Sequence, residues 1–178
     1  MRKWIFYALC CDLGMICKKL ISPAANVVTE LLRIPGGIGT SFSLLFLVVA
    51  AMIFPMFGAA TLMGVVQSLL AFAMGSVGSM GALSPVAYIV PGFAIDVVLF
   101  VSRKVKLDIA WTALLSNLAG SAAACLIANV LVFRLHGIVL LFYLSVALTS
   151  GAVCGLLAGQ LTKTLRPVLQ CGERRQQA

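Results

Sequence analysis

An all-α integral membrane protein, built as a bundle of about six transmembrane helices, is the fold class this sequence predicts. Three observations predict it. First, 62% of its 178 residues are hydrophobic and only 10% are charged, and the mean hydropathy is +1.11. A soluble domain is about half apolar and about a quarter charged, so this chain lacks the polar residues to cover a water-facing surface. Second, the apolar residues form continuous runs rather than the alternation of barrel strands, and a helix satisfies its own backbone in lipid. Third, the charged residues gather in short segments between the runs. That makes the net charge of +8 a topology signal, and no nucleic-acid partner is expected.

The first helix is expected over about 4–21. Arg2 and Lys3 followed by an apolar stretch imitate a signal peptide, but Asp12 breaks the stretch and no A-x-A site follows, so the helix is read as retained. The second, about 40–54, and the third, about 57–74, are separated only by a turn near Pro55. The fourth covers about 83–101, the fifth about 108–133 and the sixth about 137–162. The reading is one transmembrane domain over 1–178, with 163–178 as a basic cytoplasmic C-terminal tail.

Basic residues set the expected orientation. With the N-terminus inside, nine lie inside: Arg2, Lys3, Arg103, Lys104, Lys106, Lys163, Arg166, Arg174 and Arg175. At most four, Lys18, Lys19, Arg33 and Arg134, lie outside. Both termini are therefore expected in the cytoplasm.

Asp96 is the residue most out of place. It lies in the apolar run of the fourth helix, where an unpaired carboxylate costs at least about 2.5 kcal/mol. A functional reading follows: it faces a cavity or a partner. Tyr88, Gly92 and Asp96 share one face of that helix at four-residue spacing, with Pro91 poised to open it. The fifth helix carries Asn117, Ser121, Cys125 and Asn129 on one face. By depth, Tyr88 and Asn129 form an outer polar layer and Asp96 and Asn117 an inner one, so the two faces are expected to meet if the helices touch. Gly151, Gly155 and Gly159 give the sixth helix a smooth packing ridge.

Enzymatic function is not expected. The acidic residues Asp12, Glu30, Asp96, Asp108 and Glu173 are scattered, and no Ser–His–Asp set, H-E-x-x-H motif or Walker A loop occurs. The six cysteines include no CxxC pair and read as packing residues, and His136 as a loop residue. Asp108 reads as an N-terminal cap or dipole partner of the fifth helix.

Several features coincide: a short first helix, a long loop before the second, the segment Ser84-Pro85-Val86-Ala87-Tyr88-Ile89-Val90-Pro91-Gly92-Phe93-Ala94-Ile95-Asp96, and the basic tail. Together they resemble the substrate-binding S components of prokaryotic energy-coupling factor (ECF) vitamin transporters. The resemblance is one of architecture across nearly the whole chain.

It implies capture of a small-molecule substrate from outside the cell membrane, a vitamin or related micronutrient. It implies three partners, a membrane T component and two cytoplasmic ATPase subunits. No cofactor is expected on this chain; ATP is used by the partner subunits. Carried over, the substrate-binding residues are Tyr88, Asn129, Tyr143 and Thr149. Gly36, Gly37, Gly78 and Ser79 stand in the gate loops. Asp96 and Asn117 lie deeper, as a cavity floor or a lock between helices. An acidic floor favours a thiamine- or pyrimidine-like substrate. The family docks on its T component through an AxxxA patch of the first helix. Here Ala8 is followed at that spacing by Asp12, while Cys10 and Gly14 offer a nearby small pair. The alternatives are a structural or assembly subunit of a membrane complex, or a stand-alone proton-coupled carrier using Asp96.

Overall fold

The computed structural model describes residues 2–31, 38–75, 84–134 and 136–174, with side chains over 4–23, 39–75, 85–132, 134 and 136–167. Six helices follow one another: α1 (Arg2–Leu31), α2 (Ile38–Ile53), α3 (Ala59–Ala73), α4 (Ser84–Val105), α5 (Ile109–Ala128) and α6 (Ile138–Arg174). A π-helical turn, Asn129–Phe133, prolongs α5. The described residues contain no strand.

Three helices are long and apolar enough to cross a membrane: Pro85–Val105, Ile109–Val132 and Ile138–Pro167. The apolar stretches Gly39–Ile53 and Ala59–Ala73 are shorter. At 1.5 Å per residue, the 16 residues of α2 rise about 24 Å, less than a bilayer core of about 30 Å.

Two boundaries differ from expectation. The stretch 22–31, expected as loop, continues α1 through Pro23. The expected tail continues α6 as far as Arg174, making a helix of 37 residues, about 55 Å long. In α6 hydropathy falls before the helix does: Lys163, Arg166, Gln170 and Arg174 are good helix formers, so polarity ends the apolar run without ending the helix. The composition of 22–31, with Ser22, Pro23, Asn26 and Thr29, gives no such account of the α1 extension.

α2 sits at the centre, packed against each of the other five helices. Around it run α1, α3, α4, α5 and α6, with α3 on α4, α4 on α5 and α5 on α6. Accordingly Leu47, Val48, Val49, Ala50 and Ala51 of α2 are all buried. Glycines set the close approaches in the outer ring. A Cβ on Gly64 of α3 would lie 2.5 Å from the Tyr88 carbonyl oxygen, and one on Gly92 of α4 would lie 2.6 Å from that of Ala60. The α6 ridge works likewise, since a Cβ on Gly155 would lie 2.8 Å from Leu114 Cα.

Pro91 does not open α4, which runs unbroken from Ser84 to Val105. The expected meeting of the α4 and α5 polar faces does not occur either. The helices do touch, but through Ile95, whose Cδ1 would lie 2.9 Å from a Cβ on Gly120. The Tyr88–Gly92–Asp96 face lies instead on α3, because neighbouring positions on a helix point about 100° apart.

Candidate functional site

Polar side chains pair across helices at several levels of the bundle. At the basic end, where α1 begins and α4 ends, they hold helix termini. Asp96 is 5% exposed. Its Oδ1 accepts from the Ala60 amide at 3.2 Å. Its Oδ2 accepts from the Thr61 amide at 2.8 Å and from Thr61 Oγ1 at 2.6 Å. These are first-turn donors of α3, whose own N-cap, Gly58, has no side chain to offer. The carboxylate also complements the positive end of the α3 dipole. Opposite it, the end of α2 receives donors: Tyr7 OH bonds the Phe54 carbonyl at 2.7 Å and Arg103 Nη2 the Ala51 carbonyl at 3.3 Å. The α2–α3 turn is thus clamped by three side chains from α1 and α4. Of the two roles expected for Asp96, this geometry is that of the lock.

Asn117, fully buried, is also a lock. Its Nδ2 donates to the Gly151 carbonyl of α6 at 2.8 Å. Further along the same α5 face, Ser121 shares a hydroxyl contact of 3.1 Å with Ser41 of α2, which in turn lies 3.0 Å from Ser150 Oγ of α6. Cys125 is buried with Tyr143 and Ala147, and its thiol and the Tyr143 hydroxyl share a side-chain hydrogen bond. Tyr143, expected on the substrate, is only 3% exposed and packs within this cluster. Thr149, also expected there, is exposed on the outside of α6 and returns its hydroxyl to the Val146 carbonyl at 3.0 Å.

Near the other end the arrangement differs. Lys18 of α1 is half-buried, and its Nζ donates to Tyr88 OH at 2.7 Å and lies 4.4 Å from the ring centroid. Gly39 of α2 flanks the lysine stem: a Cβ there would lie 3.9 Å from Lys18 Cγ and 3.2 Å from Ser22 Oγ. Asn129 is buried at the head of the π-turn, where its carbonyl accepts from the Arg134 amide at 2.7 Å. Short π-helical segments occur frequently at functional sites. The gate residues Gly36, Gly37, Gly78 and Ser79 lie outside the described residues.

On α1, Cys10 is buried and Gly14 faces inward, where a Cβ would lie 3.0 Å from Gln67 Nε2. This small pair packs the interior and is not available as the docking face. Ala8 and Asp12 face outward, amid exposed Trp4, Ile5, Leu9, Leu13, Ile16 and Leu20. Asp108 stands at the N-cap position of α5 without a side-chain capping bond; its Oδ2 lies 3.7 Å from Lys163 Nζ in an exposed pair.

Sequence reasoning missed Lys18 and Thr61 as interior partners. In the sequence Lys18 counts only as a charge inside or at the end of the first helix, which points to no partner. A signal for Thr61 was the bare Gly58 before a helix, which calls for a cap from elsewhere. Among the described residues no three of His, Cys, Asp and Glu are grouped to hold a metal. Comparison with family models, curated proteins and solved structures gives no match for this chain.

Proposed function

We propose that this chain is a substrate-binding membrane subunit of an ATP-driven importer of the energy-coupling factor kind. It captures a vitamin or related micronutrient at the end of the bundle opposite the basic one. It is not itself an enzyme, binds no nucleotide, and works with a membrane T component and two ATPase subunits. The basic end, with Arg103, Lys104, Lys163 and Arg166, is cytoplasmic by the positive-inside rule. Exposed Trp4 and Trp111, near the starts of α1 and α5, suit the headgroup level on that side.

One observation supports the reading above the others: the two ends use their polar groups differently. At the basic end Asp96, Arg103 and Tyr7 are tied to helix termini. Near the far end Tyr88 carries a half-buried lysine and Asn129 sits in a π-turn. The substrate contacts best supported are therefore Tyr88, Asn129 and Lys18; Tyr143 and Thr149 drop out. Asp96 as floor drops out too, and with it the argument for a thiamine- or pyrimidine-like substrate.

The test is purification of the full chain from its host in mild detergent, with mass spectrometry of retained small molecules and of co-purifying proteins. A stoichiometric small molecule together with an ATPase is expected. Neither, over repeated preparations, would sink the proposal.

A structural or assembly subunit is the second reading. Asp96 and Asn117 favour it, since both side chains make helix–helix contacts. Under it, changes at Tyr88 and Asn129 alter assembly and no ligand is retained. A carrier driven by protons through Asp96 is weaker, because three hydrogen bonds hold that carboxylate to the head of α3.

A further inference from the structure

We propose that Lys18 and Tyr88 form an anion-binding site near the far end of the bundle, which takes a carboxylate or phosphate group of the captured substrate. This rests on the binding-subunit reading and gives its substrate a charge. It departs from the expectation drawn from Asp96, which favoured a thiamine- or pyrimidine-like substrate.

The argument begins with what a lysine near a membrane surface ordinarily does. Its four-carbon stem lies along apolar surface while the ammonium reaches water. Lys19, the next residue, is exposed. Lys18 instead turns into the bundle. Its stem passes Gly39 of α2 and its ammonium meets Tyr88 of α4. Three helices thus fix the direction of one charge.

Among the described residues that charge meets no anion: no carboxylate lies within 4.0 Å of Lys18 Nζ, and the one ion pair found there joins Lys163 to Asp108. Asp96 is held at the head of α3, and Asp12 is exposed. Glu30 is on the same helix, twelve positions further on, about 18 Å away along the axis. Tyr88 OH accepts one of the three ammonium N–H bonds and leaves donors for a ligand. The Tyr88 hydroxyl proton is a further donor, so an incoming oxyanion meets an ammonium and a phenol side by side. A charge-assisted contact of this kind is about twice as strong as a neutral one.

Two sources supply such a group, a solute carboxylate or phosphate and a lipid headgroup, and the test separates them. The full chain, grown on 13Cε-lysine so that its ammonium groups stay unmodified, is placed in nanodiscs of phosphatidylcholine, and the Lys18 resonance is assigned through Lys18→Arg. Sodium benzoate and inorganic phosphate are titrated separately at constant ionic strength against chloride. A saturable Lys18 shift with benzoate or phosphate, absent with chloride, is expected. In parallel, Lys18→Met is expected to lower the retained small molecule at least tenfold, while Lys18→Arg lowers it less. Thermal melting of both variants checks that they fold.

A Lys18 resonance indifferent to both anions overturns the proposal. So does a shift that appears only when phosphatidylglycerol is added to the nanodiscs, since a lipid is then the counter-ion. Retention of a neutral or cationic compound, unchanged in Lys18→Met, overturns the anion site and leaves the binding-subunit reading standing. A saturable anion shift with no retained compound and no co-purifying ATPase supports the site and removes that reading.

Discussion

Asp96 and Thr61, 35 positions apart, are joined by two hydrogen bonds, one to the amide at 2.8 Å and one to the hydroxyl at 2.6 Å. Through them α4 supplies the cap that α3 lacks. The carboxylate lies among apolar residues because the donors of a helix start are there, and a buried anion is tolerated where such donors and the helix dipole meet it.

Asp96→Ala leaves those donors without their acceptor. The expected loss is about 1–3 kcal/mol, the range for a buried group stripped of its partner. Asp96→Asn keeps one acceptor oxygen and is expected to lose less. Thr61→Val removes only the hydroxyl bond, about 0.5–1.5 kcal/mol. Thermal unfolding in detergent, followed by circular dichroism, ranks the three. A ranking with Asp96→Asn as damaging as Asp96→Ala contradicts a capping role.

Packing of α3 on α4 depends on Gly64 and Gly92. A methyl group at either would fall within 2.6 Å of a carbonyl oxygen of the other helix. Neither backbone can swing aside as a side-chain end does, so the helices must part. Gly64→Ala and Gly92→Ala are each expected to cost about 1–3 kcal/mol, the range for an overfilled interior. Gly159→Ala, where the nearest atom is 3.2 Å away, is expected to be milder. The same melting measurement decides it, and equal effects at Gly64 and Gly159 count against the geometry.

Helix existence was legible because apolar runs are what lipid-compatible helices must display. Helix ends were not: α6 runs on into polar sequence that is still helix-forming, and α1 runs on through Pro23, where composition argues for a stop. Which residues share a face was also legible: Tyr88, Gly92 and Asp96 do, as do Asn117 and Ser121. What that face meets was not. Periodicity fixes direction relative to the helix axis and carries nothing about the neighbour. Hence the α4 face, which the sequence points at α5, lies on α3, and the sequence gives no sign that Tyr143 packs with Cys125. Asp96 as a lock was open from the sequence; its partner needed the fold.

Tyr143 and Thr149 give a direct comparison of the two assignments. Tyr143→Phe removes the hydroxyl that meets Cys125 and keeps the ring in its cluster. It is expected to lower stability by about 0.5–1.5 kcal/mol and to leave the retained small molecule unchanged. Thr149→Val, on the outer surface of α6, is expected to change neither. Mass spectrometry of each purified variant reads this out. A tenfold drop in retention for either one restores it to the substrate site.

Asp12 makes opposite demands on the isolated chain and on an assembly. It is exposed on the outward face of α1, between exposed Leu9 and exposed Leu13 and Ile16. On the membrane-subunit proposal, a carboxylate there faces lipid when the chain is alone, at a cost of at least about 2.5 kcal/mol near mid-membrane. A partner helix offering a donor or a basic group relieves that cost. Asp12→Leu is therefore expected to raise the melting temperature of the isolated chain and to weaken its association with a membrane partner. Asp12→Asn, neutral but still able to accept a hydrogen bond, is expected to fall between. Co-purification from the host, compared with melting of the separated chain, measures both. Loss of stability together with unchanged association would show that Asp12 serves the fold of this chain and that the docking face lies elsewhere.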